Sequence, residues 1–287
     1  MLPDEGRPSP HGRVAVLVPV YNDDGRLAAT LESLHGQGVP FTAVVVDDGS
    51  TPPLRVDGGA YDFPVVLLRQ ARNGGIERAL NAGLEYIAAA GFDYVARLDN
   101  GDLCRPERLA RQQAFLDEHA DVALVGSNVE WRRPDGSLAF SLTLPESHER
   151  ICRALHHTVC LIHPAVMFRV AAVRAVGPYS LDYPAAEDYE LFWRIARRFR
   201  VANIPETLVT TRFDSAGISV TRRVRQLRSR LRIQLAFFRA GEPLSYVGVA
   251  KTLALMSVPY GVIVRLKRLR SAPHPSPTAS HAHAQAS

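Results

Sequence analysis

A run of seven apolar residues, VAVLVPV at positions 14–20, constrains the fold more than any other part of this 287-residue chain. A strand buried on both faces of a sheet is apolar throughout, so this run predicts an interior strand of a parallel sheet. Further apolar runs predict strands at positions 42–46, 64–68, 92–98 and 122–125, and helical patterns lie between them at 22–35, 73–90 and 106–119. This alternation predicts an α/β fold in which helices flank a mostly parallel, Rossmann-like sheet.

The pattern changes after Gly126, where strand-like segments at 129–132, 138–144, 165–169, 201–204 and 208–213 accompany a strong helix at 186–198. We interpret this part as the second half of the same domain. The predicted organisation is a loose lead-in at 1–12, a domain at 13–220 with halves at about 13–126 and 127–220, a helical extension at 221–270 and a disordered tail at 271–287.

The net charge of +5 is unevenly distributed along the chain. Positions 221–270 contain twelve basic residues and one acidic residue, whereas the first 220 residues carry a net charge of −6. A nucleic-acid-binding domain spreads positive charge over its reading surface, so the acidic main body argues against a nucleic-acid partner. A hydrophobic content of 46% excludes wholesale disorder. Three cysteines and the absence of a signal-peptide pattern predict a cytoplasmic protein.

The basic segment predicts an amphipathic helix at positions 221–240, with an apolar face formed by Val224, Leu227, Leu231, Leu235 and Phe238. Positions 245–264 are apolar apart from Lys251. Three interpretations are open: a packed helix with a solvated arginine face, an element that lies on an anionic membrane surface, and a membrane span. We favour the second, which predicts a peripheral location on the inner face of the cell membrane.

Acidic residues stand where two of the predicted strands end. One pair occupies positions 47–48, and Asp99 and Asp102 follow the strand at 92–98. Carboxylates are seldom left unpaired at buried strand ends, and ligands of open α/β sheets bind beyond the carboxyl ends of the strands. The alternative is that these residues stabilise turns and helix starts. A third pair, at 187–188, begins a helix, where the macrodipole alone favours acidic residues.

These motifs occur in an order that resembles the family 2 inverting glycosyltransferases of the GT-A fold. In chain order they are VLVPVYN (16–22), VVDDGST (45–51), NGGI (73–76), ALNAG (79–83), RLDNGD (97–102), PERL (106–109), VGS (125–127), HPAVMF (163–168), AEDYEL (186–191) and NIPE (203–206). Each motif alone is weak, but the ordered set spans positions 14–219 and is specific. The resemblance implies transfer of a sugar from a nucleotide-sugar donor to a glycan or lipid-linked acceptor, in bacterial cell-surface polysaccharide biosynthesis.

The resemblance also implies roles for individual residues. Asp188, with Glu187 beside it, stands at the general-base position, and His163 lies on the acceptor side. Asp99 and Asp102 fall on the motif that holds Mn²⁺ or Mg²⁺, which neutralises the charge of the leaving diphosphate. The residues implied in donor binding are Pro19, Tyr21, Asn22, Asp47, Asp48, Asn73, Gly74, Arg78, Arg97 and Asp99.

Two positions depart from the family pattern. Gly101 stands where the metal motif usually has a carboxylate, and Asp214 stands where a histidine often follows an Arg-x pair. Asp214 is therefore a candidate metal ligand in place of that histidine. These departures predict an altered metal dependence.

Other classes of protein fit the sequence less well. The cysteines and histidines at 152, 156, 157, 160 and 163 do not have the spacing of a zinc finger or ribbon, so we expect no zinc site. The first strand is not followed by the glycine motif of a Rossmann dehydrogenase, and no G-x-S-x-G motif of a hydrolase is present. Two alternatives stay open: a nucleotidyltransferase of similar α/β fold, and a non-catalytic protein that binds nucleotide sugars.

Overall fold

Residues 13–213 and 223–258 are described by the computed structural model of the chain. The strands are β1 Val14–Val20, β2 Phe41–Asp47, β3 Val65–Arg69, β4 Tyr94–Arg97, β5 Leu103–Cys104, β6 Val122–Arg132, β7 Leu138–Leu142, β8 Met167–Arg169 and β9 Arg200–Arg212. The helices are α1 Leu27–Glu32, α2 Ile76–Ala89, α3 Arg108–Glu118, α4 His148–Leu155, α5 Val170–Val176, α6 Glu187–Arg198, α7 Arg223–Ala236 and α8 Pro243–Ser257.

The described strands form one sheet in the order β3-β2-β1-β4-β8-β6-β9-β5, with β7 paired to the distal part of β6. Strands β1 to β4 are parallel, and β6 and β9 run in the same direction. Strand β8 is antiparallel to both β4 and β6 and joins the two halves of the sheet. The predicted α/β architecture with a mostly parallel sheet is therefore confirmed.

The alternate side chains of the parallel strands fill two cores. On one face of the sheet, Leu17 and Val46 pack with apolar residues of α2, α5 and α6. On the other face, Val16 and Val45 pack with apolar residues of α1 and α3. Burial on both faces is the physical reason why these strands are apolar throughout.

Two strands are longer than the sequence predicts. The segments at 201–204 and 208–213 are parts of the single strand β9, and β6 likewise joins 122–125 to 129–132. In β9 the exposed residues Pro205 and Glu206 lie where the register with β6 shifts between Ser127 and Asn128. A bulge accommodates a proline that cannot donate to the ladder, so the polar break marks a bulge and not a strand end.

The apolar face predicted for the basic helix is wrong in part. Val224 and Leu235 are exposed in α7, whereas Leu227 and Ile233 are buried together with the polar residues Ser229 and Gln234. The reason is that α7 packs between α6 and α8 and satisfies polar groups of both neighbours. The lead-in at 1–12, Asp214 and positions 259–287, which include the predicted tail, lie outside the described residues.

Candidate active site

The carboxyl ends of the adjacent parallel strands β2, β1 and β4 bring the sequence motifs to one edge of the sheet. Tyr21 and Asn22 follow β1, Asp47 ends β2, and Asp99 lies two residues beyond β4. Tyr21 is 52% exposed, which leaves its ring available to a ligand. Pro19, the last residue but one of β1, is buried within the sheet.

Asp47 is fully buried, and its carboxylate is held by its own chain. It accepts hydrogen bonds from the N–H groups of Ser50 at 2.8 Å and Leu54 at 3.1 Å and from Nη1 of Arg69 at 2.9 Å. Burial alone would raise the pKa of Asp47, but the hydrogen bonds and the arginine outweigh it and hold this pKa below its usual value. Asp47 thus shapes the loop at 48–54.

Asp48 connects the same loop to the beginning of α2. Its two carboxylate oxygens accept the N–H groups of Gly74 at 2.8 Å and Gly75 at 2.9 Å. A negative charge at this end of a helix is favoured by the macrodipole. Asn73 and Arg78, on either side of these glycines, have exposed side chains.

Asn22 ties the end of β1 to the loop that Asp47 shapes. Its backbone N–H donates to Oγ of Ser50 at 2.8 Å, and its Oδ1 accepts the N–H of Thr51 at 3.0 Å. Asn22 has a φ of +48°, a conformation in which asparagine is enriched among non-glycine residues. The loops after β1 and β2 therefore form one hydrogen-bonded rim.

Arg97 is a fully buried cation beneath this rim. Its Nη1 donates to the carbonyl of Leu17 at 3.0 Å, and its Nη2 forms an ion pair with Asp99. The side chain of Asp99 is 38% exposed, so this carboxylate meets the solvent while Arg97 anchors it from below.

The motif at 99–102 is a tight turn in which the N–H of Asp102 donates to the carbonyl of Asp99 at 3.0 Å. Gly101 occupies the third position of the turn with a φ of +97°, where a side chain would be strained and would approach Arg26 to 3.2 Å. This conformation explains why glycine replaces the usual carboxylate. Asp102 is buried, and burial followed by the repulsion of Asp99 raises its pKa well above the usual range.

The oxygen atoms of this turn suit a hard divalent cation. Oδ1 of Asn100 in this turn is buried and has no hydrogen-bond partner, whereas its Nδ2 donates to Oδ1 of Asp23 at 2.9 Å. Carboxylate and amide oxygens are the ligands that Mg²⁺ and Mn²⁺ prefer. Within residues 13–213 and 223–258, no three Asp, Glu, His or Cys side chains converge as a complete metal cage.

The third acidic pair begins α6. Glu187 is 6% exposed, and its Oε2 has no hydrogen-bond partner. Burial and then the repulsion of Asp188 raise the pKa of Glu187, and burial also raises the pKa of Asp188. Oδ1 of Asp188 accepts the N–H of Tyr189 at 2.7 Å, while Asp99 repels its charge. Asp99 and Asp188 are far apart in the sequence, but in the structure they are close enough for their charges to repel each other.

Sequence reasoning missed Tyr179, which lies behind this pair. Its backbone N–H and carbonyl bond to Oδ1 and Nδ2 of Asn81 in α2 at 2.9 and 2.8 Å. Its hydroxyl lies 2.8 Å from Nε2 of His163, so this buried histidine has a polar partner inside the protein. Burial lowers the pKa of His163 well below its usual value. The only sign of this contact in the sequence is Asn81 of the ALNAG motif, a polar residue within the amphipathic helix α2.

The cysteines and histidines near 152–163 have separate partners. Cys160 Sγ contacts the carbonyl of Ile151 at 3.6 Å, and His156 Nδ1 lies 2.8 Å from Oγ of Ser245. Cys152 Sγ lies 3.5 Å from Nε2 of His148. Cys152, His156 and Cys160 are therefore packing residues.

The profile of glycosyl transferase family 2 matches residues 15–177, which is more than half of the chain. The chain belongs to this family. The match covers the rim, Arg97 and the turn at 99–102 but ends before Glu187 and Asp188. The predicted family and the predicted enzyme class, a nucleotide-sugar-dependent glycosyltransferase, are thus confirmed, and the nucleotidyltransferase alternative is not supported.

Individual relatives agree with the family. The amylovoran biosynthesis glycosyltransferase AmsE of Erwinia amylovora is 30% identical over 237 residues, which cover 79% of this chain and 87% of that protein. The UDP-Gal:alpha-D-GlcNAc-diphosphoundecaprenol beta-1,3-galactosyltransferase of Escherichia coli is 27% identical over 236 residues, covering 79% and 84%. The mannosyltransferase PcManGT from Pyrobaculum calidifontis, solved with GDP-Man and Mn²⁺, has a TM-score of 0.59 at 18% identity, covering 94% and 84% of the two chains, and supports the fold alone.

Proposed function

We propose that this glycosyltransferase inverts the anomeric centre of a nucleotide sugar, with Asp188 as the general base. The observation that carries the proposal is the pair of carboxylates at the beginning of α6, whose pKa values are raised by burial and further by the repulsion of Asp99. A general base is most effective when its pKa lies near the working pH. Glu187, which is buried, and Asp188, which is half-buried, occupy the first turn of α6.

In the proposed reaction, the oxygen of an acceptor hydroxyl group forms a bond to the anomeric carbon, and Asp188 takes the proton of that hydroxyl group. The bond between this carbon and the diphosphate oxygen breaks on the opposite face of the sugar, and the nucleoside diphosphate leaves with the electron pair. The transition state has oxocarbenium character, as in glycoside hydrolysis. The rim formed by Asn22, Asp47 and Asp48 positions the nucleotide, and Asn73, Gly74 and Arg78 line its pocket.

The turn at 99–102 is the proposed site of a divalent cation. Asp99, Asn100 and Asp102 would hold Mn²⁺ or Mg²⁺, with Asp214 as a further candidate ligand outside the described residues. When bound, the cation neutralises negative charge on the leaving diphosphate. The ion pair with the buried Arg97 holds the side chain of Asp99 in place at this turn.

A lipid-linked acceptor in bacterial surface-polysaccharide assembly is the substrate class that the relatives favour. One relative is named for amylovoran biosynthesis and another for a diphosphoundecaprenol-linked acceptor. The acceptor would enter beside α6 from the half of the domain at 127–220, which we propose as the acceptor half, opposite the nucleotide-sugar half at 13–126.

The proposal is tested first by ligand binding and then by turnover. UDP-galactose, UDP-N-acetylglucosamine and GDP-mannose are screened with and without Mn²⁺ by the shift in melting temperature, because a specific ligand stabilises the folded state. With the donor that binds, Asp188→Asn should reduce transfer to a synthetic GlcNAc-diphospho-alkyl acceptor by at least about a hundredfold while donor affinity is kept. Glu85→Gln, an exposed carboxylate on α2, is the matched control. Full turnover by Asp188→Asn would contradict the assignment.

We also propose that the extension beginning at 221 holds the protein on the cytoplasmic face of an anionic membrane. In α8 the buried residues are small or polar, namely Ser245, Gly248 and Thr252, whereas the exposed ones include Tyr246, Val247, Leu253 and Met256. Gly248 permits close packing, since a Cβ there would lie 1.9 Å from the carbonyl of His156. A helix that directs its apolar residues outward is suited to an apolar environment. None of the helices in the described part of the chain is long and apolar enough to cross a membrane.

Point variants test this location better than a truncation, because Ile233 of α7 is fully buried and its removal would open the core. In co-sedimentation with vesicles that contain anionic lipid, the double variant Leu253→Glu, Met256→Glu should bind at least about tenfold more weakly than the wild type. Leu67→Glu on the edge strand β3 is the control. Undiminished binding by the double variant would refute the proposed surface.

A further inference from the structure

The loop at 180–186 leads directly into α6 and ends two residues before Asp188. Within it, the N–H of Ala186 donates to the carbonyl of Tyr183 at 3.0 Å, and Ala185 adopts a φ of +63°. A non-glycine residue in this left-handed region is strained and persists only where the surrounding structure holds it. The neighbours of this loop therefore determine how the chain enters α6.

Helix α7 contacts three consecutive residues of the loop. Oγ of Ser229, which is 3% exposed, donates to the carbonyl of Pro184 at 2.9 Å. Nη1 of Arg232 donates to the carbonyl of Asp182 at 2.8 Å, and its guanidinium lies 4.9 Å from the centre of the Tyr183 ring. Two side chains of one helix thus fix the backbone on the N-terminal side of Ala185.

The same helix holds the other side of Asp188. Nη2 of Arg230 donates to the carbonyl of His157 at 2.7 Å, and its guanidinium lies 5.9 Å from the centre of the Tyr189 ring. After the end of α7, Phe237 stacks on Trp193 of α6 with ring centres 5.0 Å apart. Asp188 consequently lies between two segments that are both attached to the α7 region.

We propose that α7 is a brace that sets the position of Asp188, with Ser229 and Arg232 as positioning residues for the reaction. This inference rests on the proposed function, which makes Asp188 the base. It divides the basic residues of α7 into two groups. Arg232 holds the loop together with the polar residue Ser229, whereas Arg225 and Arg228 are exposed side chains without that task. Loop and brace both lie beyond the family match, which ends at residue 177.

Hydrogen–deuterium exchange of the full-length protein tests the holding contacts without any ligand. In Ser229→Ala and in Arg232→Ala, amides in peptides covering 182–190 should exchange about tenfold faster, because the loop opens more often. Peptides from β1 and β2 should exchange at the wild-type rate. Arg225→Ala and Arg228→Ala are the matched controls on the same helix, and they should leave the exchange of 182–190 unchanged.

Kinetics test whether holding the loop positions the base. With the nucleotide sugar that stabilises the wild type and the GlcNAc-diphospho-alkyl acceptor, Ser229→Ala and Arg232→Ala should lower kcat about tenfold, since small displacements of a catalytic group have large effects on rate. The KM for the donor should stay within about twofold, because the donor rim is elsewhere. Ser229→Thr, which keeps the hydroxyl group, should restore kcat.

Unchanged exchange at 182–190 in both variants overturns the brace whatever the activity. Faster exchange with an unchanged kcat shows a held loop that does not position the base, and this also overturns it. If the wild type transfers no sugar, the proposed function fails, and the exchange rates alone then decide whether α7 holds the loop.

Discussion

Ala185 shows how much of the site depends on one backbone conformation. It occupies the third position of the turn from Tyr183 to Ala186 with a φ of +63°, where turns of this kind normally have glycine. The sequence gives no hint of this, since Pro184 predicts a turn but alanine does not predict a left-handed residue. Three non-glycine residues of the described chain have such a φ, and two of them, Asn22 and Ala185, border the site.

At the residue scale we predict that Ala185→Gly stabilises the protein. Left-handed backbone costs a non-glycine residue about 1–2 kcal/mol, and the greater freedom of glycine in the unfolded chain offsets part of the gain. The free energy of unfolding in urea should rise by about 0.5–1 kcal/mol. Ala172→Gly is the control, because Ala172 lies inside α5 and is buried, so glycine there should reduce stability. A loss of stability in Ala185→Gly would contradict the strain argument.

At the scale of elements, predictability from the sequence followed burial. Strands β1 and β2 were predictable almost to the residue because both of their faces are covered, which leaves uninterrupted apolar runs. Strand β9 was not predictable as one strand, because the polar bulge at Pro205 and Glu206 divides its apolar sequence into two segments. The two-residue strand β5 is too short to have any pattern of its own.

The helices of the extension were harder to interpret for a different reason. Periodicity assumes that apolar residues face the core, but α7 buries Ser229 and Gln234 and α8 buries Ser245 and Thr252. These polar groups bond across elements, as Thr252 Oγ1 does to Oε1 of Gln234 at 2.7 Å. The start of α6 was predictable from its acidic first turn, whereas the contacts of α7 with the preceding loop leave no periodic signal in the sequence.

For the whole molecule, the buried ionisable groups give stability a characteristic dependence on pH. Burial lowers the pKa of His163, so the folded state resists its protonation and stability is lost as the pH falls below about 6.5. Burial, and then the repulsion of Asp188, raises the pKa of Glu187, so the folded state retains a proton that the unfolded chain releases. The contribution of this carboxyl group is therefore lost as the pH rises from the ordinary glutamate pKa toward the raised value.

Above pH 6.5 the imidazole no longer contributes to the slope, which is then determined by the buried carboxyl groups with raised pKa values, Glu187 and Asp102. In EDTA, the free energy of unfolding should fall by about 2 kcal/mol between pH 6.5 and pH 8, since each unit of pH over which one extra proton is retained is worth about 1.4 kcal/mol. Glu187→Gln removes the ionisation of this group and should remove the part of the decline that Glu187 contributes, so that the variant is the more stable protein at pH 8. Glu85→Gln, an exposed carboxylate, should keep the wild-type slope. The measurement is a series of urea unfolding curves across this pH range. If Glu187→Gln kept the wild-type slope, ionisation of Glu187 would not be a cause of the loss of stability above pH 6.5.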